Sequence, residues 1–156
     1  MHLYPASLLI TAAVLLPNLF LLAMPPLNAR RYGKSSDSLP LTITERVGQV
    51  SCFVLPLFFP LSLTGSLVIT AWIVMGVTLG FYYAGWIRFF ALDRDYALLF
   101  KPMLGLPVPM AISPVIYFLF ASLVLGSFYQ AIGAAVLGVG HFSISVRESR
   151  RVRGAR

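Results

Sequence analysis

The order of apolar and charged residues divides the chain into long uncharged segments separated by short charged ones. The longest uncharged run covers residues 110–146 and contains no Asp, Glu, Lys or Arg. One membrane-spanning helix needs about 20 apolar residues, so this run is long enough for two. The pair Gly126 and Ser127 lies near its middle and is typical of a turn. The pattern therefore predicts two helices, at about 110–125 and about 128–146.

Three more apolar segments precede this run, at about 3–24, 43–63 and 67–92. Each is close to the length of a membrane-spanning helix. The sequence therefore predicts an all-α fold, a polytopic membrane bundle of five transmembrane helices, followed by a basic tail at 147–156. Because the chain leaves no room for a separate soluble domain, we expect a single membrane domain over residues 1–156.

Two short patterns indicate how these helices begin and pack. Thr42 and Glu45 have the spacing of a capping box, which places the N-cap of the second helix at Thr42. Gly76, Gly80 and Ala84 recur every four residues on the third helix. Small residues at this spacing let a neighbouring helix approach closely, so we expect this stripe to contact another helix.

The composition agrees with a membrane location. The chain is 58% hydrophobic and 11% charged, whereas soluble domains are about 45–50% apolar and about 25% charged. The net charge of +7 raises the alternative of nucleic-acid binding. Because the basic residues lie beside the apolar segments, we interpret them as topology determinants that contact anionic lipid headgroups, and we expect no nucleic-acid partner.

The basic residues also predict an orientation. With five spans, all 12 Lys and Arg residues fall on one side, in residues 25–46, about 88–107 and the tail. Cytoplasmic segments of membrane proteins are enriched in Lys and Arg. We therefore predict an N-terminus outside, a cytoplasmic C-terminus, and a multi-pass protein of the cell membrane.

Polar residues inside the spans are predicted to converge near the cytoplasmic side. Glu45 and Gln49 share one face of the second helix, and His141 lies on a face of small residues on the fifth. That face also carries Ala131, Ala134, Gly138 and Ser145. Because ionisable groups in a span usually face protein or a water-filled cavity, we predict a cavity open to the cytoplasm. The catalytic candidates are Glu45, His141 and Arg88, and the substrate-binding candidates are Asn18, Gln49, Tyr82, Tyr83 and Trp86.

Each candidate also has a purely structural interpretation. Glu45 can serve only as the acid of the capping box. Arg88 can extend to the lipid headgroups, and Trp86 and the two neighbouring tyrosines can be interfacial aromatic residues. His141 can be a hydrogen-bonded histidine of the core. The hypothesis of a site depends on all these residues lying at one depth.

An apolar cavity with a polar inner rim favours a membrane enzyme that acts on a lipid-soluble substrate by acid–base chemistry. Isoprenoids are one such substrate class, and protonation-initiated cyclisation or isomerisation, as in membrane terpene cyclases, is an analogy of chemistry. We expect no required cofactor. Asp93 and Asp95 are weak candidates for a metal site, with Mg²⁺ expected only if the substrate carries a diphosphate. An accessory or structural membrane subunit and a small transporter stay open as alternatives, as do a homo-oligomer and a partner membrane subunit.

Overall fold

The computed structural model describes residues 2–32, 38–103 and 105–154. Within these ranges the fold is all-helical, which confirms the predicted fold class at that level. The five α-helices are α1 at Leu8–Ala23, α2 at Leu39–Val54, α3 at Ser66–Ala91, α4 at Pro109–Val124 and α5 at Phe128–Gly154. Short 3₁₀ helices lie at Pro5–Ser7, Ala29–Tyr32, Leu55–Phe58 and Tyr96–Leu99.

In the part of the chain that the structure describes, three helical segments are long and apolar enough to cross a membrane: Pro5–Ala23, Ser66–Ala91 and Phe128–Gly154. In contrast, α2 and α4 have 16 residues each, which corresponds to about 24 Å at about 1.5 Å per residue. This is shorter than a hydrocarbon core of about 30 Å. Pro56 lacks a backbone donor and follows α2 closely, and there the chain changes to the tighter 3₁₀ helix.

The helices run alternately in opposite directions between the two ends of the bundle. Ser7 Oγ donates to Phe59 O at 2.6 Å, so the start of α1 lies beside the segment that follows α2. Ser62 N donates to Val124 O at 2.9 Å, so the end of α4 lies beside the start of α3. The end of α1, the start of α2, the end of α3, the start of α4 and the end of α5 therefore meet at one end.

We call this the basic end, because the Lys and Arg residues of the described ranges lie in it or in the helical turns next to it. They are Arg30, Arg31, Arg46, Arg88, Arg94, Lys101, Arg147, Arg150, Arg151 and Arg153. Lys34 and Arg156 lie outside the described residues. The one-sided charge distribution seen in the sequence is thus reproduced by the helix directions.

Glycines allow α2 and α5 to approach each other closely. A Cβ on Gly48 of α2 would overlap the backbone of Leu137 on α5. A Cβ on Gly140 would lie 2.5 Å from the backbone nitrogen of Glu45. Because real Cβ atoms do not approach backbone this closely, any larger residue at either position would force the helices apart. This contact fixes the register of Glu45 against α5.

The prediction for the small residues of α3 is wrong within the described chain. Gly76, Gly80 and Ala84 are exposed, and a Cβ added to either glycine would meet nothing within 4 Å. The four-residue spacing places these residues on one helix face but does not identify a neighbour for that face. The α3 surface that contacts α4 instead includes Gly85, whose added Cβ would lie 2.8 Å from Met110 Cγ.

The predicted face of small residues on α5 is shared between two neighbours. Ala134 is buried, whereas Gly138 faces α4, where its added Cβ would lie 3.0 Å from Val115 Cγ1. The glycines that meet α2 are Gly133 and Gly140, which the prediction omitted. As predicted, α5 is a tightly packed helix. The residues that contact α2 lie part of a helical turn away from the predicted face.

The boundaries of α2 and α5 also differ from the prediction. The N-cap of α2 is Ser38, Pro40 lies in the first turn, and Thr42 Oγ1 donates to Ser38 O, so the predicted capping box is wrong. α5 does not end at 146 but continues to Gly154. Its last turns pack through buried Val152 against Ala97, in the connection between α3 and α4, and against Tyr32, in the connection between α1 and α2.

Candidate functional site

The interior of the bundle holds two adjoining chambers. The larger has a volume of about 250 Å³ and is lined by residues of all five α-helices. The smaller has a volume of about 190 Å³ and extends to Leu99 and Phe100 at the basic end. Asn18, Tyr82 and His141 line both chambers and therefore mark their junction. The remaining walls are largely apolar, so the polar side chains concentrate where the chambers meet.

Glu45 and His141 form a direct side-chain pair beside the larger chamber. Glu45 Oε1 lies 2.6 Å from His141 Nδ1, and the two side chains are 16% and 28% exposed. Gln49 Nε2 donates to the same carboxylate oxygen at 3.4 Å. His141 and Gln49 line the chamber, whereas Glu45 is not among its lining residues and lies behind them. The sequence places Gln49 one turn after Glu45, and the Gly140 contact brings His141 to both.

The hydrogen bond defines how the imidazole is oriented. An ionised carboxylate can only accept hydrogen bonds, so with Glu45 ionised the proton resides on His141 Nδ1. The other ring nitrogen, Nε2, then carries a lone pair and can accept a proton. A carboxylate that fixes one nitrogen and leaves the other for a substrate is the arrangement that general acid–base catalysis by histidine requires.

Asn18 and Tyr82 form the second polar pair at the junction. Asn18 Nδ2 donates to Val14 O at 2.8 Å and to the Tyr82 hydroxyl oxygen at 2.7 Å. Tyr82 is only 5% exposed. Its ring contacts Trp86 edge-on, with the ring centroids 6.1 Å apart. Trp86 in turn lines the smaller chamber.

Two of the predicted site residues lie elsewhere. Tyr83, next to Tyr82 on α3, points towards α1, where its hydroxyl donates to Ala13 O at 2.8 Å. Arg88 Nη1 donates to Pro102 O at 3.1 Å and lines neither chamber. The predicted grouping of Tyr83 and Arg88 with Glu45 is therefore corrected: helical rotation turns both side chains away from the interior.

The two aspartates considered as metal candidates have different surroundings. Asp93 is exposed in a turn after α3 and adopts a positive φ of 53°. Asp95 caps the following 3₁₀ helix by accepting from Ala97 N at 3.0 Å, and it accepts from Asn28 Nδ2 at 2.9 Å. Within the described ranges, no group of three or more His, Cys, Asp and Glu side chains is arranged to hold a metal ion.

Sequence reasoning missed a second polar cluster, at the basic end. Glu148 is 4% exposed and accepts a hydrogen bond from the Tyr96 hydroxyl at 2.7 Å. Arg151 pairs with the same carboxylate. Burial raises the pKa of Tyr96, and the hydrogen bond to Glu148 raises it further. The signal was present: Ser145, Glu148 and Val152 continue the buried face of α5 at helical spacing.

The apolar walls of the chambers were also not predicted. Phe53, Pro114, Phe118 and Leu137 line the larger chamber. Phe53 and Leu137 lie one helical turn from Gln49 and His141 and so share their predicted faces. Pro114 and Phe118 belong to the uniformly apolar α4, where periodicity does not separate inward-facing from outward-facing residues. A comparison with known proteins adds no further assignment, because no family model, curated protein or solved structure matches the chain.

Proposed function

We propose that this chain is a small multi-pass membrane enzyme that moves protons on a lipid-soluble substrate held in the two chambers. The observation that carries the proposal is that His141 lines both chambers while Glu45 Oε1 holds its Nδ1 at 2.6 Å. A hydrogen bond to Glu45 also suits a structural histidine, so the proposal depends on the open chamber that His141 lines in addition.

In the proposed mechanism His141 is the general base and then the general acid, through Nε2. Glu45 orients the ring and stabilises the imidazolium that forms when Nε2 takes a proton. Gln49 donates to Glu45 and so supports the carboxylate position. The sequence made Glu45 itself a catalytic candidate. In the proposed mechanism Glu45 instead supports His141, because it lies behind His141 and Gln49.

The walls support an apolar substrate. Leu15, Phe53, Phe118 and Leu137 line the larger chamber, and Leu21, Leu99 and Met110 line the smaller one. Taken together, the two chamber volumes lie near the lower end of the range of about 300–1,000 Å³ that is typical of small-molecule sites. Isoprenoid-like molecules fit this description. An imidazole shuttles protons near neutral pH, which favours isomerisation over the alkene protonation that starts a cyclisation.

For the membrane arrangement we propose five spans, with the basic end in the cytoplasm, the N-terminus outside and the cell membrane as the location. The concentration of Lys and Arg at one end of the bundle supports this orientation. Together, α2 and the 3₁₀ helix that follows cover Leu39–Phe58, which is about the length of a span. The smaller chamber, next to the basic end, would then be the part that faces the cytoplasm and anionic headgroups.

Proton transfer can be tested without knowing the natural substrate. Purified protein is incubated in D₂O with a panel of prenyl compounds, lipid-soluble ketones and other lipids, and deuterium incorporation is followed by mass spectrometry. We expect incorporation with the wild-type protein and with His2→Gln, which alters an exposed histidine. We expect it to be lost with His141→Gln. If no substrate exchanges, or if His141→Gln exchanges normally, an accessory membrane subunit describes the chain better.

A further inference from the structure

We infer that the substrate carries one carbonyl oxygen inside its carbon skeleton, and that Tyr82 is the residue that anchors this oxygen. The inference rests on the proposed function and adds the chemical class of the substrate. It comes from the hydrogen bonds at the junction of the two chambers, where Asn18, Tyr82 and His141 meet.

The hydrogen bonds of Asn18 determine whether the Tyr82 hydroxyl can still donate a hydrogen bond. Val14 O can only accept, so the Asn18 atom 2.8 Å from it is the amide nitrogen. An amide nitrogen has two hydrogens, and the second is directed to the Tyr82 oxygen at 2.7 Å. Tyr82 therefore accepts from Asn18, and its own hydroxyl hydrogen has no acceptor among the described residues. Because buried polar groups are normally satisfied by protein or water, this donor is available to an oxygen placed in the chambers, from water or from a bound ligand.

The surroundings of this donor restrict the ligand further. Tyr82 is 5% exposed and lines both chambers, which are otherwise mostly apolar. Trp86, in the wall of the smaller chamber, packs edge-on against the Tyr82 ring. An oxygen bound at the junction would have apolar arms on both sides, one in each chamber. This arrangement fits a ketone with two hydrocarbon arms better than a fatty acid or another molecule with a terminal polar group.

The same geometry assigns a reaction to the ketone. His141 Nε2 removes a proton from the carbon next to the carbonyl, and the C–H electron pair forms a carbon–carbon double bond. The carbonyl π electrons move to the oxygen, where the Tyr82 hydroxyl stabilises the negative charge by donating its hydrogen bond. Return of a proton to the same carbon gives exchange, and in a ketone with a β,γ double bond its return to the γ carbon moves that double bond into conjugation. The step needs no oxidant, reductant or second substrate.

Binding is measured with diheptyl ketone and pentadecane as matched probes, in nanodiscs and in a Trp72→Phe background, so that Trp86 is the remaining tryptophan reporter. We expect the ketone to bind about tenfold more tightly than the alkane, as one good hydrogen bond would give. Tyr82→Phe should abolish this preference without weakening alkane binding. The matched control is Tyr83→Phe, which removes a hydroxyl that donates to Ala13 O and lines neither chamber, and it should keep the preference.

Equal affinity for the two probes in the Trp72→Phe background, with Tyr82 and Tyr83 intact, would overturn the inference. A ketone preference that survives Tyr82→Phe, or that is lost equally with Tyr83→Phe, would overturn it as well. Deuterium exchange distinguishes a failure of this inference from a failure of the proposed function. A Tyr82-dependent ketone preference without exchange supports the ligand class and overturns proton transfer, whereas His141-dependent exchange that ignores Tyr82 overturns the anchor alone.

Discussion

The imidazole of His141 reaches Glu45 across the tightest helix contact of the bundle, with Nδ1 2.6 Å from Oε1. The preceding residue, Gly140, lies against the backbone of the same Glu45. The glycine lets α5 approach α2, and this approach brings the imidazole within hydrogen-bonding distance of the carboxylate. Helix packing and site geometry therefore depend on the same pair of residues.

The Glu45–His141 pair should contribute measurably to stability. In a double-mutant cycle with Glu45→Ala and His141→Ala, we expect a coupling free energy of about 1 kcal/mol, because the two side chains are in contact and only partly exposed. Unfolding in mixed detergent micelles supplies the free energies. The control cycle uses Arg46 and Gln49, whose side chains meet at 3.5 Å in an exposed position. Coupling near zero for Glu45 and His141 would contradict the geometry described here.

The glycines of α2 and α5 should tolerate no side chain. We expect Gly140→Ala to destabilise the protein by about 1–3 kcal/mol, since its methyl group would overlap the backbone of Glu45 and separate the helices. Thermal unfolding in detergent measures the change. The matched control is Gly76→Ala on α3, where the new methyl group meets nothing and helix propensity favours Ala. The prediction fails if both variants unfold at the same temperature.

The end of α5 should loosen when its contact with Tyr96 is removed. Tyr96→Phe deletes one of the two side-chain contacts of the buried Glu148 carboxylate and leaves the pair with Arg151, and a lost hydrogen bond to a buried charged group is costly. We expect trypsin to cleave after Arg147 and Arg150 about tenfold faster, because local opening becomes easier. The control is Tyr129→Phe, which alters a tyrosine that is 67% exposed. Unchanged cleavage of Tyr96→Phe would show that the docking does not depend on this bond.

The proposed membrane orientation makes three positions informative. Reporters fused after Arg156 or inserted at Gly105, an exposed turn beside the basic end, should be active only in the cytoplasm. A reporter at Gly65, an exposed residue before α3 at the opposite end, should report the outside. We expect this pattern because Lys and Arg are retained on the cytoplasmic side. A Gly65 reporter active in the cytoplasm would reverse the orientation or reduce the number of spans.

Part of this architecture was accessible from the sequence because it depends on local composition. Uncharged runs of sufficient length predict helices, and Gly126 and Ser127 separate α4 from α5 where expected. The spacing of Glu45 and Gln49 places both on one face of α2 regardless of what that face contacts. The distribution of Lys and Arg follows from sequence order once the helices alternate in direction. These features need no information about distant contacts.

Other features were decided only by the tertiary structure, because helical spacing defines a face but not its neighbour. Gly76 and Gly80 have the spacing of a packing stripe and yet are exposed, whereas Gly48 and Gly140 make the closest glycine contacts. Tyr82 and Tyr83 are adjacent in sequence, and a rotation of about 100° per residue places Tyr82 in the chamber walls and the Tyr83 hydroxyl against Ala13 O. Glu45 has the spacing of a helix cap, but α5 lies close enough for His141 to bind it instead.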